Sequence, residues 1–361
     1  MKYLIILILS QLCLKTIAQK DSTIPKNISP LTFSGYVEVY FNYDFNKPGN
    51  HFIPNFLYNH NRHNDFNINL AYMKASYNTE NIRSNLSIAA GTYMNSNYAA
   101  EPSTLKNILE ANAGVKIGKQ NLWLDAGILP SHIGFESAIS KDCWTLTRSI
   151  LGENSPYFES GVKLTYITKD SKWLLSGLAL NGWQRISRIE GNSKLSFGTQ
   201  IQYKPNDLTT LNYSTFIGTD KPDSARLKRY FNNFYVLLNL NEKVGLTVGA
   251  DLGFEQKSKN SSNYNKWYGL VTIVKYSMTN KLSLSARGEY YHDRNSVIIA
   301  SDPADGFSAS GYSMNIDYIP ASNAVIRLEI KNLSSKNPIF QNEKSFTRNN
   351  SFITSSIAIS F

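Results

Sequence analysis

The chain has 361 residues, a formal charge of +10 and two cysteines, with 18% charged residues, 22 Tyr and 18 Phe. One of the cysteines, Cys13, sits in an N-terminal apolar run, so the rest of the chain holds only Cys143 and cannot form an intrachain disulfide. This excludes a disulfide-stapled secreted domain, and the scattered placement of Lys and Arg argues against a nucleic-acid partner.

The first predicted element is a leader. Lys2 supplies a basic start, Tyr3 to Leu14 an apolar run, and Thr16-Ile17-Ala18 a small-residue cleavage site. About twelve apolar residues are too few to span a bilayer as a helix. Residues 1–18 are therefore expected to be a signal peptide, with 19–31 a periplasmic segment and 32–361 one folded unit. Removing Lys2 and Lys15 takes the charge from +10 to +8. A lipoprotein reading through Cys13 is disfavoured by the bulky Leu12 before it.

Strand-like segments then recur at 32–43, 65–77, 82–94, 107–118, 121–130, 157–168, 172–183, 194–205, 208–218, 229–240, 243–255, 266–278, 281–292, 306–318, 322–332 and 350–361. Each is near the length of a tilted transmembrane strand. Short polar turns (NTEN, KQ, KDS, PN, NEK, TN, PAS) alternate with long connections. A sandwich has no reason to sort its loops by parity. The expected fold is an all-β, antiparallel up-and-down outer-membrane barrel of about 16 strands, with short periplasmic turns and long extracellular loops.

The faces agree. In AVIRLEIKN, Ile326, Leu328 and Ile330 oppose Arg327, Glu329 and Lys331; in IRSNLSIAAGTY, Ile82, Leu86 and Ile88 oppose Arg83, Asn85 and Ser87. A charge facing lipid at mid-depth costs roughly 2–4 kcal/mol, so these charges must face a wet interior. A soluble barrel with an apolar core fails on size, because sixteen strands enclose more space than side chains fill. Aromatics near strand ends, among them Tyr40, Tyr77, Trp123, Trp173, Trp183, Trp267, Tyr276, Tyr290 and Tyr318, predict two interfacial girdles.

Residues 131–156 break the pattern. Ile139, Cys143, Leu146 and Ile150 recur at helical spacing, with Lys141, Thr145 and Arg148 on the polar side. A short helix is expected there. Such a third long loop resembles the one that folds into the lumen of general Gram-negative porins. The resemblance implies an apolar stripe on the wall and a polar side toward the channel. GFES (134–137), WTLTR (144–148) and SPYFESGVKLTY (155–166) also resemble the OmpL-like β-barrel porins of Bacteroidetes-type bacteria. SFITSSIAISF, ending on Phe361, resembles the signal read by the barrel assembly machinery.

The resemblance implies a passive diffusion channel for small hydrophilic solutes or ions, with outer-membrane lipid around it and no cofactor. Glu136, Lys141, Asp142 and Arg148 are the expected constriction residues, and the expected lumen wall includes Arg83, Lys116, Lys163, Arg287, Glu289, Arg327 and Glu329. Further wall candidates are the basic Lys204 and Lys331 and the acidic Glu38, Glu110, Asp125, Glu159, Asp251 and Glu255. Rings of charge set selectivity in a pore, and the excess of Lys and Arg leans toward anions. Porins of this size are often homotrimers, which would need a flat apolar wall.

Other chemistry is weaker. His60, His63 and Asp65 could bind a metal, but a flexible polar loop more often leaves such residues solvated. His132 beside Ser131 and Glu136 is the best hydrolytic candidate, and it lacks a clear nucleophile. No enzyme is expected. The alternative function is a plugged barrel acting as a surface adhesin or anchor through its loops.

Overall fold

A computed structural model of the chain describes residues 29–301 and 306–361. The leader and most of the segment before residue 31 lie outside the described residues. Sixteen antiparallel strands close into one barrel. In chain order they are β1 Leu31–Asp44, β2 Phe66–Asn78, β3 Ile82–Ala90, β4 Ile108–Lys116, β5 Leu122–Pro130, β6 Phe158–Ile167, β7 Trp173–Leu180 and β8 Ser196–Asn206. They continue as β9 Thr209–Gly218, β10 Arg229–Asn239, β11 Val244–Gln256, β12 Tyr264–Ser277, β13 Leu282–Asp293, β14 Phe307–Ala321, β15 Ala324–Ser335 and β16 Asn349–Ser360.

Closure pairs β1 with β16, for example Val37 opposite Ile359. Closure removes every open edge of the barrel sheet, which a bilayer requires because it offers backbone groups no water. The seam is finished by the last residue. Phe361 and Gly35 exchange backbone bonds of 2.7 and 3.0 Å. The Phe361 ring lies where a Cβ on Gly35 would stand.

The alternation sorts faces as expected. Ile326, Leu328 and Ile330 are 44%, 43% and 42% exposed, while Arg327, Glu329 and Lys331 between them are 2%, 1% and 0%. The exposed apolar residues form the lipid-facing wall.

Two expectations need correction. The segment read as a strand over 82–94 ends at Ala90, and Thr92–Asn97 is a short helix, α1. Gly91 makes the break at φ 131°, in close approach to the Asn69 carbonyl. A side chain there would be strained and would clash. The girdles are also only partly formed by the aromatics named. Tyr77, Trp173, Tyr276 and Tyr318 face outward near the turn end, and Trp173 stacks on Tyr203 at 4.2 Å. Near the loop end the outer pairs are Phe41–Phe66 and Tyr268–Tyr290. Tyr40, Trp123 and Trp267 point inward, because each falls on the lumen parity of its strand. Trp183, in the loop after β7, also packs inside.

Candidate permeation path: the lumen and its third loop

The connection between β5 and β6 lies against the lumen side of the far wall. It is not the helix its spacing predicts. A 3-10 turn covers Ser140–Asp142 and one helical turn, α2, covers Ile150–Glu153, capped by Ser149. Residues 143–149 between them are irregular. The reason is where their backbone groups find partners. The N–H groups of Leu146, Thr147 and Ile150 donate to Asn315, Glu329 and Glu289 at 3.1, 2.6 and 2.7 Å. The carbonyls of Cys143, Thr147 and Arg148 accept from Arg327, Arg287 and Lys331 at 3.0, 2.7 and 3.1 Å. Wall side chains thus replace the i→i−4 bonds a helix would make.

Arg287 is the hub of this grip. It donates to the Thr145 and Thr147 hydroxyls at 2.9 Å each and to Glu329 at 2.9 Å, with Glu289 and Glu136 at 3.8 and 3.9 Å. Lys331 pairs with Glu289 at 2.7 Å, and Arg327 with Asp317 at 2.8 Å. On β1, Glu38 accepts from the Ser140 hydroxyl and from Asn69, and lies 3.2 Å from His60. Glycines on β11 make room for the loop's rings. A Cβ at Gly245 would sit 2.5 Å from Trp144, and one at Gly249 would sit 2.6 Å from Phe135.

The four residues expected at the constriction are not equivalent. Arg148 is fully buried and donates to the carbonyls of Ser137, Ala138 and Leu146, so it staples the loop to itself instead of facing a channel. Glu136 is buried and accepts from the Ser149 backbone and hydroxyl. Lys141 reaches Ser360 at 2.7 Å, at the turn end of β16. Asp142 is exposed. Arg83, Lys116, Lys163, Arg287, Glu289, Arg327 and Glu329 all have lumen parity. Only the last four of that wall set, all on β13 and β15, lie under the loop.

The sequence reading did not foresee how the outer half of the lumen is filled. Ile53, Phe56 and Leu57 of the first loop, Ile133, Ile150 and Leu151 of the third, and Phe216, Phe231, Trp267 and Phe307 of the wall form one buried apolar cluster. Carboxylates hold the loops in place by accepting from backbone N–H groups. Asp293 takes Val297, Ile298 and Ile299; Glu153 takes Tyr58 and Asn59; Glu101 takes Ile186 and Ser187. The signal in the sequence was an acid near the loop end of a strand or inside a long loop.

Burial pushes the Glu136 and Glu153 carboxyls above the usual carboxylate range. A carboxyl raised in the docked state binds its proton more readily there than when free. Docking therefore gains stability as pH falls from neutral toward the ordinary carboxylate range, and loses it as pH rises. Conductance measured in planar bilayers is expected to be lower at mildly acidic pH than at alkaline pH; a flat profile would refute this.

The opposite wall is wetter. Toward the turn end of β2 to β8, lumen residues such as Lys74, Asn85, Asn112 and Lys163 are only half-buried. Lys74 pairs with Glu110 at 2.5 Å, and Arg83 grips Asp125 at 2.5 and 2.7 Å while lying 4.3 Å over Trp123. The histidines are placed elsewhere. His60 and His63 are buried, not solvated, and they separate. His60 faces Glu38, and His63 accepts from the Asp44 backbone at 2.9 Å. His132 is held at both ring nitrogens, 2.8 Å from Glu159 and 2.8 Å from the Thr215 carbonyl, and has no contact with Ser131 that would activate a nucleophile.

A closed barrel of sixteen strands with short turns at one end, long loops at the other and an inward-folded third loop is a porin of the Gram-negative outer membrane. The chain belongs to the family described as "Putative beta-barrel porin-2, OmpL-like", which matches residues 30–361. Similar solved structures include an anion-selective porin from Comamonas acidovorans, at 7% identity and TM-score 0.61 over 92% of this chain and 99% of that one. OmpT of Vibrio cholerae in a trimer form is similar at 12% identity and TM-score 0.58, over 92% and 99% of the two chains. The outer membrane channel DcaP of Acinetobacter baumannii is similar at 11% identity and TM-score 0.58, over 92% and 97%. At these identities the likeness speaks for the fold. No curated protein matches the sequence.

Proposed function

We propose that this porin passes small hydrophilic solutes by diffusion along the half-buried polar wall of β2 to β8, past a third loop that narrows the lumen. The observation that carries the reading is the asymmetry of burial. Wall charges on β13 to β15 are sealed under the loop, whereas Lys74, Arg83 and Lys163 across from them keep access to solvent. In this reading Lys141 and Asp142 are the constriction residues that meet solute, and Glu136 and Arg148 hold the loop's shape. The chain acts as a channel and not as an enzyme. Stable open steps from the refolded barrel in a planar bilayer would support the reading. A folded, heat-modifiable barrel that passes no current would overturn it.

The apolar cluster in the outer half favours one second reading, a plugged barrel that serves as a surface anchor or adhesin through its loops. The same recording separates the two. For assembly, Phe361 is the proposed recognition residue. Phe361→Ala is expected to lower the heat-modifiable fraction recovered from outer membranes, and recovery equal to the parent would refute that role. Cleavage after Ala18 and assembly as a homotrimer complete the proposal.

A further inference from the structure

The two ends of the lumen carry opposite chemistry. In the loop half, acids outnumber cations, and the carboxylates are taken up by loop N–H groups or by paired cations. In the turn half the balance reverses. The descending strands β2, β4, β6, β8 and β12 each place a lysine of lumen parity within their last five residues: Lys74, Lys116, Lys163, Lys204 and Lys275. Lys74 is paired with Glu110. The other four are half-buried and close no ion pair within 4.0 Å among the described residues. Of the acids that act on them, Asp317 is bound to Arg327, Asp125 to Arg83 and Glu159 to His132, which leaves Asp207 in the turn beside Lys204.

The recurrence can be read in MKASY, VKIG, VKLTY, YKPN and VKYS. In each, Lys follows an outward apolar or aromatic residue just before a periplasmic turn. A lone lysine on a wet wall is ordinary. Four outside any close ion pair, on strands around one mouth, make a positive field that low-dielectric walls focus along the axis.

We infer that Lys116, Lys163, Lys204 and Lys275 form an anion-attracting vestibule at the periplasmic mouth, and that this vestibule sets the ion preference of the channel. The filter then lies below the third loop instead of on it. Its ligands are small inorganic or organic anions, drawn in as hydrated ions. The inference rests on the porin reading above and adds the site of selectivity to it.

The test is the reversal potential of the refolded channel across a KCl gradient, for the parent and for a variant carrying Lys116→Gln, Lys163→Gln, Lys204→Gln and Lys275→Gln. The parent is expected to prefer chloride, most strongly at low salt, where the screening length reaches about 30 Å at about 0.01 M. The variant is expected to lose most of that preference, a change of about threefold or more in the permeability ratio. Lys344→Gln on an outer loop is the control and should leave the ratio unchanged.

Calorimetric titration of the detergent-folded barrel with inorganic tripolyphosphate gives an independent readout. Binding is expected for the parent and should be lost in the four-site variant. Open steps whose selectivity ignores the four substitutions would overturn the vestibule while leaving the porin reading intact. Absence of current from a folded parent would overturn the porin reading, and tripolyphosphate binding that survives in the variant would overturn the vestibule even then.

Discussion

Arg287→Met is expected to raise the unitary conductance and make the open level noisy, while the barrel still runs as a heat-modifiable band. The guanidinium holds two loop hydroxyls, one loop carbonyl and Glu329, all within a fully buried cluster that also contains Glu289 and Glu136. Methionine fills much of the volume and supplies none of the charge. Three buried carboxylates would then keep only Lys331, beside Glu289, and Arg148, on the Glu136 side, as counter-charges. Breaking a buried ion pair by removing one partner costs about 3–5 kcal/mol. The barrel ladder is untouched, because Arg287 contributes only backbone to it. The strain is therefore relieved by the loop, which can leave the wall. Removing the partner as well, in Arg287→Met with Glu329→Gln, leaves less uncompensated charge, and the conductance should fall back toward the parent level. An Arg287→Met channel with the parent's conductance and noise would mean that the loop is held by its apolar contacts alone.

The extent to which this was legible in the sequence follows from the physics of each part. The barrel was legible because lipid enforces period-two alternation on every strand, and Arg327, Glu329 and Lys331 have nowhere to go but inward. The turn-and-loop parity was legible for the same reason. The third loop's docking followed from its resemblance to a known loop, but its conformation did not. Ile139, Cys143, Leu146 and Ile150 do carry helical spacing, and Leu146 and Ile150 are fully buried. What the spacing cannot report is that Arg287, Arg327, Glu289 and Glu329, well over a hundred residues away, offer the backbone better partners than its own turns. Arg148 was misplaced because a lone arginine beside a polar stripe looks like a channel residue. Its three carbonyl partners lie within the loop and arise only once the loop is bent. The filling of the outer half was hidden because it needs several loops at once, and the first loop's Ile53, Phe56 and Leu57 have no periodicity to betray them.

Deletion of residues 137–150 is expected to raise conductance roughly twofold or more, since it removes the segment that lines one wall and narrows a lumen of sixteen-strand width. The ends to be joined are close, because the Glu136 side chain lies against Gly152. The cut therefore strains neither β5 nor β6, and Arg287→Met supplies a second approach should the shortened chain fold poorly. The deletion also makes a prediction about charge that a simple unplugging would not. It uncovers Arg287, Arg327 and Lys331 together with Glu38, Glu289, Asp317 and Glu329, so acids exceed bases on the freed wall. Cations gain a path along β1 and β13 to β15 that the lysines of β4, β6 and β8 border only on the far side, with Lys275 of β12 the one vestibule lysine beside it. The wider channel should thus be less anion-selective than the parent, most clearly at low salt, where the field of each wall reaches farther. A rise in conductance with unchanged selectivity would mean that the uncovered wall charges do not act on the permeating ions. Unchanged conductance would remove the third loop from the permeation path.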